Sequence, residues 1–189
     1  MKSKSFFLKQ LFTTGFVLLL TTQPIYSFAS EKQEKIKSAV GIYETISVLP
    51  ENMHLQAKVD TGAKDSSLDA QNIEFFTRDD KEWVRFQVTR ALQKRIFIIE
   101  RPLEGISQIK SRADESTTKE SYKRPLIKLP VCLGDEIKEI DVNLTDRSHF
   151  KYPFLLGSTA IISFNKIVDP ATNSLLPLTC GIKKEAQGK

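Results

Sequence analysis

Leu55, Ala57 and Val59 alternate with Gln56 and Lys58, the period-2 signature of a strand with one buried face. The run leads straight into Asp60-Thr61-Gly62-Ala63, and Ser66, Leu68 and Ala70 then alternate with Ser67 and Asp69 as the chain extends again. The same short-strand rhythm recurs along the sequence. Val40–Leu49 is β-rich and closed by Pro50-Glu51-Asn52; Ile73–Phe76 and Trp83–Thr89 flank the polar Arg78-Asp79-Asp80-Lys81 turn, and Arg95–Glu100 is rich in Ile and Phe. Leu126–Leu133 and Ile137–Leu144 predict a hairpin about Gly134-Asp135, with Pro125 and Pro130 marking edges or bulges. Phe154–Gly157 is a further apolar strand, Ser158–Phe164 a short helix with Ser158 as its N-cap, and Ile167–Pro170 and Leu175–Leu178 close the domain. Many short strands with little helix predict an all-β, barrel-like fold.

The N-terminus has a different pattern. Lys2, Lys4 and Lys9 precede an apolar stretch through Leu18-Leu19-Leu20 that ends at Ser27-Phe28-Ala29-Ser30. A basic start, a short apolar middle and small residues near the end predict a secretory signal peptide over 1–29, and hence an exported, periplasmic protein. The apolar middle is shorter than the roughly 20 residues that span a bilayer, so no stable membrane span is expected once the signal is removed. The remaining organisation reads as a mobile lead-in over 30–38, one domain over 39–180 and a C-terminal tail over 181–189.

Charge then excludes a class of partner. The whole chain carries 28 basic and 23 acidic residues, a net charge of +5, but residues 1–29 hold three lysines and no acid. A mature chain is near neutrality and has no concentrated basic stripe, so no nucleic-acid partner is expected. Residues 104–124, rich in Ser, Thr and charge, read as a solvated hairpin tip or as a flap over a site. Cys132 and Cys180 are the only thiols, and they either form one disulfide or remain separate.

The candidate chemistry centres on Asp60. A carboxylate at a turn between two strands is rigidly supported and accessible. Asp-Thr-Gly alone is an ordinary turn sequence. Here it occurs in order with Trp83-Val84-Arg85-Phe86, Val142-Asn143-Leu144-Thr145-Asp146-Arg147-Ser148, Leu155-Leu156-Gly157 and Val168-Asp169-Pro170. Over residues 38–178 the chain thereby resembles the bacterial retropepsin-like aspartic endopeptidases, a family also called putative ATP-dependent zinc proteases. The resemblance implies a closed acid-protease barrel and peptide hydrolysis by two aspartates, one as base on a water and the other as acid on the carbonyl. With a single Asp-Thr-Gly per chain, it implies a homodimer that pairs Asp60 with its symmetry mate. It assigns Thr61 to hydrogen bonding across the two-fold axis, Gly62 and Ala63 to the active-site loop, and Leu156 and Gly157 to bracing that loop from beneath.

Two acids depart from the family pattern, Asp65 and Asp69, the latter standing where the family usually has His. They either raise the proton affinity of Asp60 or face solvent. Asp146 and Arg147 read as an ion pair bracing the 143–150 loop, or place Arg147 against a substrate backbone or carboxylate. No cofactor is expected: there is no His-Glu-x-x-His and no phosphate-cradling loop, and only His54 and His149 could join Asp60 or Asp146 around a zinc ion. The readings carried forward are an aspartic endopeptidase acting on a peptide or protein substrate, a non-catalytic binding or regulatory module on the same fold, and a zinc-dependent hydrolase.

Overall fold

The computed structural model describes residues 37–109 and 122–180. The expected signal segment, most of the lead-in, the centre of the 104–124 segment and the tail after Cys180 lie outside the described residues.

Six strands close into a mixed barrel. They are β2 (Tyr43–Val48), β3 (Met53–Asp60), β4 (Ser66–Asp69), β9 (Tyr122–Leu133), β10 (Glu136–Thr145) and β11 (Phe154–Gly157), joined in the circular order β10-β4-β11-β3-β2-β9 and back to β10. β8 (Gly105–Ile109) extends β9 outside the circle. β5 (Gln71–Arg78), β6 (Lys81–Val88) and β7 (Phe97–Pro102) form a separate antiparallel sheet, while β1 (Ser38–Val40) pairs in parallel with β12 (Lys166–Val168).

Alternation decides which side chains enter the barrel. Met53, Leu55, Ala57 and Val59 of β3 are buried, as are Ile127, Leu129, Val131 and Leu133 of β9. Val84, Phe86 and Val88 of β6 join this core together with Phe97 and Ile99 of β7, so the three-stranded sheet lays one face on it. Each such Leu, Ile or Phe contributes roughly 1.5–3 kcal/mol by leaving water. The two tight hairpins follow local chemistry: Asp79 and Asp80 both take positive φ between β5 and β6, and Gly134 takes +66° between β9 and β10.

Neither proline of β9 needs an N–H for a full ladder on both sides. β8 pairs with residues 122–126 and β2 with 131–133, so Pro130 falls between them, paired to β10 and accepting Leu49 N–H with its carbonyl at 2.9 Å; Pro125 lies beyond the last residue paired to β10. β4 departs from the expected alternation, since all four of its residues are buried. It lies between β10 and β11, and the 145–153 segment covers its end, with Asp69 N–H donating to Pro153 O and Ala70 N–H to Thr145 O.

The C-terminal segment is tied down at several points. Cys132 and Cys180 form a disulfide with Cα atoms 6.1 Å apart, which settles the pairing left open by the sequence. The buried Glu44 carboxylate accepts N–H bonds from Gly41, Leu175 and Leu176.

Candidate active site

Asp60 is the last residue of β3, and its half-buried carboxylate is held by the loop that follows. Gly62 N–H donates to Asp60 Oδ1 at 3.0 Å, and Ala63 N–H donates to the Asp60 carbonyl at 3.3 Å. Thr61 and Gly62 are exposed, as required of residues that meet a substrate or a second subunit.

The predicted brace is present beneath this loop. β11 runs parallel to β3 with Gly157 opposite Asp60, and Leu156 is fully buried next to it. A Cβ on Gly157 would lie 2.6 Å from the Asp65 carbonyl and 2.7 Å from that of Lys64, so only glycine lets the loop pass so close. Gly157 N–H donates to Ser66 Oγ at 3.1 Å, and Asn143 Nδ2 donates to Ser66 O at 2.8 Å. Ser66 thereby links β4, β10 and β11 under the site.

The helix α1 (Ser158–Ser163) starts from the same junction, with one correction. Gly157, not Ser158, occupies the N-cap position, and there is no side-chain cap. The Ser158 backbone N–H and hydroxyl both donate to the Ala63 carbonyl, at 2.8 and 3.0 Å, and Thr159 N–H donates to Lys64 O. Those bonds fasten the loop to the helix, so Ser158 serves the loop instead of the helix end.

The extra acids behave differently from expectation. Asp69 neither faces solvent nor stands as a free charge: it is 2% exposed, accepts Arg147 N–H at 2.7 Å and pairs with Arg90 at 3.2 Å. Asp65 is half-buried, its backbone packed over Gly157. The expected Asp146–Arg147 ion pair is also absent among the described residues. Asp146 is turned outward and accepts Ser148 N–H, which together with the Ser148 side chain lowers its pKa, while Asp69 supplies the loop's anchoring carboxylate.

Arg147 instead points its charge inward. The residue is 6% exposed, its guanidinium lies 4.6 Å from the Phe150 ring centre, and its side chain makes no hydrogen bond or ion pair among the described residues. Burial lowers its pKa most, and the charge of Arg124 lowers it further. Asp69 and Asp60 act in the opposite sense, which places Arg147 within electrostatic reach of the candidate catalytic carboxylate. Arg124, opposite Ser107 in the β8–β9 pair, is likewise depressed by burial, and its one side-chain hydrogen bond among the described residues is a long one of 3.4 Å to Asn143. Arg90, Arg124, Ser66 and Asn143 were not singled out from the sequence. The available signal was Asp69 itself, an acid inside a strand of buried residues that needs a cation nearby.

No group of three or more His, Cys, Asp or Glu side chains among the described residues is placed to hold a metal ion. His54 is instead within 3.2 Å of the Asn52 side chain, and His149 lies exposed on the 146–151 loop.

Comparison with known proteins adds family and context. A crystal structure of the Legionella pneumophila protein Lpg0085, of unknown function, superposes with a TM-score of 0.63 at 36% identity, covering 74% of this chain and 98% of that one. A probable alpha-L-glutamate ligase of Desulfotalea psychrophila is 34% identical over 137 residues, which is 71% of this chain and 28% of the ligase. Another from Parasynechococcus marenigrum is 34% identical over 116 residues, covering 61% of this chain and 24% of that protein. The chain thus spans about a quarter of the length of these curated relatives. Residues 39–177, from β1 to beyond β12, match the family described as retropepsin-like aspartic endopeptidase RimB, and the chain belongs to that family.

Proposed function

We propose that the protein is an exported aspartic endopeptidase that works as a homodimer. Asp60 carries the reading: a half-buried carboxylate at a strand end, fixed by Gly62 N–H and braced by Gly157, in a chain of the retropepsin-like family. In the dimer two such carboxylates share one proton, because both cannot ionise at close range. The ionised Asp60 takes a proton from water, whose oxygen attacks the peptide carbonyl carbon. The protonated Asp60 of the second subunit gives its proton to the carbonyl oxygen. Collapse of the tetrahedral intermediate breaks the C–N bond and releases the amine after proton transfer to nitrogen.

The substrate we propose is a peptide bearing carboxylate side chains. Arg147 and Arg124 have no acidic hydrogen-bond partner among the described residues and each buries an unpaired Nε, and guanidinium groups recognise carboxylates. The relatives named as glutamate ligases carry a similar region within much longer chains, which favours glutamate-containing peptides. That context also supports the second reading, a peptide-binding module without catalysis.

The deciding experiment compares wild-type protein with Asp60→Asn on glutamate-rich peptides at mildly acidic pH. Cleavage by wild type alone supports the endopeptidase. Equal cleavage by both, or tight binding with no cleavage by either, favours the binding module. A strictly monomeric protein in solution would overturn the dyad.

A further inference from the structure

The 146–151 loop that carries Arg147 is held by one ion pair, the buried Asp69 with the half-buried Arg90. Arg90 Nη1 donates to Asp69 Oδ2 at 3.2 Å and to the Arg147 carbonyl at 3.0 Å, while its Nη2 donates to the carbonyls of Phe150 and Lys151 at 2.9 and 2.8 Å. The other Asp69 oxygen accepts the Arg147 N–H at 2.7 Å. Both backbone polar groups of Arg147 are therefore fixed by Asp69 and Arg90, from strand β4 and from the end of β6. Its guanidinium is left without a hydrogen-bonded acid. A buried cation in that state is costly, and free loop backbone would let it swing out to water. The clamp prevents this.

We infer that Asp69 and Arg90 are positioning residues that hold the buried Arg147 side chain, whose Nε has no hydrogen-bond partner, to receive a carboxylate of the substrate. The inference rests on the reading of this site as one that binds acidic peptides. The Nε atoms of Arg147 and Arg124 are both buried without a hydrogen-bond partner, so an incoming carboxylate would meet donors that the described residues leave unsatisfied. Asp69 thus acts on substrate through Arg147, far enough in sequence that no local motif joins them. Arg90 likewise touches the loop's carbonyls and not the reacting carboxylate.

The test uses the full chain with Asp60→Asn as background, so that binding is read without cleavage. Binding of a fluorescent oligoglutamate peptide and an oligoglutamine peptide of equal length is measured for that protein, for Asp69→Asn and for Arg90→Gln added to it. The expected result is about tenfold weaker oligoglutamate binding with oligoglutamine binding unchanged, the size expected for a misplaced charge-assisted contact. Methylguanidinium should restore oligoglutamate affinity to Arg90→Gly. The milder Arg90→Lys, which keeps the charge but loses the fork, covers the case in which the other variants fail to fold. Equal weakening of both peptides, or no change in either, would overturn the positioning role. Failure of the background protein to bind oligoglutamate at all would instead overturn the acidic-peptide reading. The ¹⁵Nε–Hε resonance of Arg147 separates the two, since it should shift in Asp69→Asn whether or not peptide is present.

Discussion

Gly157 stands opposite Asp60 across the parallel β3–β11 pair, and the loop that carries the carboxylate crosses directly over it. The Lys64 and Asp65 carbonyls leave no room for a Cβ there. Gly157→Ala should therefore push the 60–66 loop outward. The expected cost is about 1–3 kcal/mol of stability, with a loss of peptide cleavage well beyond what that stability loss explains. Urea unfolding alongside steady-state kinetics checks both parts. Unchanged cleavage would show that the loop's seat does not control the position of Asp60.

The Cys132–Cys180 disulfide closes a loop of 48 residues in sequence. Chain entropy predicts roughly 4 kcal/mol of stabilisation for a loop of that size, and native bridges in small domains are generally worth about 2–5 kcal/mol. Reduction, or Cys180→Ser, should lower Tm by about 5–15 °C and expose the 169–180 segment to proteases first. Differential scanning calorimetry with and without reductant is the measurement.

Glu44 is a buried carboxylate inside β2 that accepts three backbone N–H groups, two of them from the C-terminal segment. Glu44→Ala would orphan those donors. The expected loss is about 2–4 kcal/mol, since hydrogen bonds to charged groups contribute more than neutral ones and the unmet donors add their own penalty. Hydrogen exchange at Leu175 and Leu176 should accelerate before the rest of the barrel responds.

Glu100 lies in a surface ladder with Arg78, Arg85 and, beyond Arg85, Glu74. The Arg78 hydrogen bond, followed by that of Arg85, lowers its pKa below the ordinary glutamate value. A depressed folded pKa contributes stability above the unfolded value, about 4.3, and that contribution disappears as pH falls through the folded value. An NMR titration of the Glu100 side chain should have its midpoint below about 4.3. Arg78→Ala should move it up, and 1 M salt should shrink the shift because the ladder is exposed.

The barrel was legible because its signals are local. Period-2 alternation in 55–59, the Gly134-Asp135 turn and the positive-φ tolerance of Asp79-Asp80 each act within a few residues, and the structure follows them. Ser158 was misassigned for an equally local reason, since a hydroxyl before a helical run resembles a cap. What it bonds instead, the Ala63 carbonyl, is set by a strand pairing ninety-five residues apart. The four buried residues of β4 were misjudged for the same reason: alternation assumes one wet face, and loop 146–153 removes it.

The sequence by itself determined the strands, the hairpin turns and the placement of Asp60 at a strand end, whereas the need for glycine at 157 comes from the loop that packs over it. Only the tertiary structure decided which charges meet at the 146–151 loop. Parallel pairing of β4 with β10 brings Asp69 to Thr145 and so to Arg147, while the end of β6 delivers Arg90 to the same point. Side-chain periodicity is fixed within a strand, whereas the charges that meet between strands depend on ladder register, which is set by closure of the whole barrel.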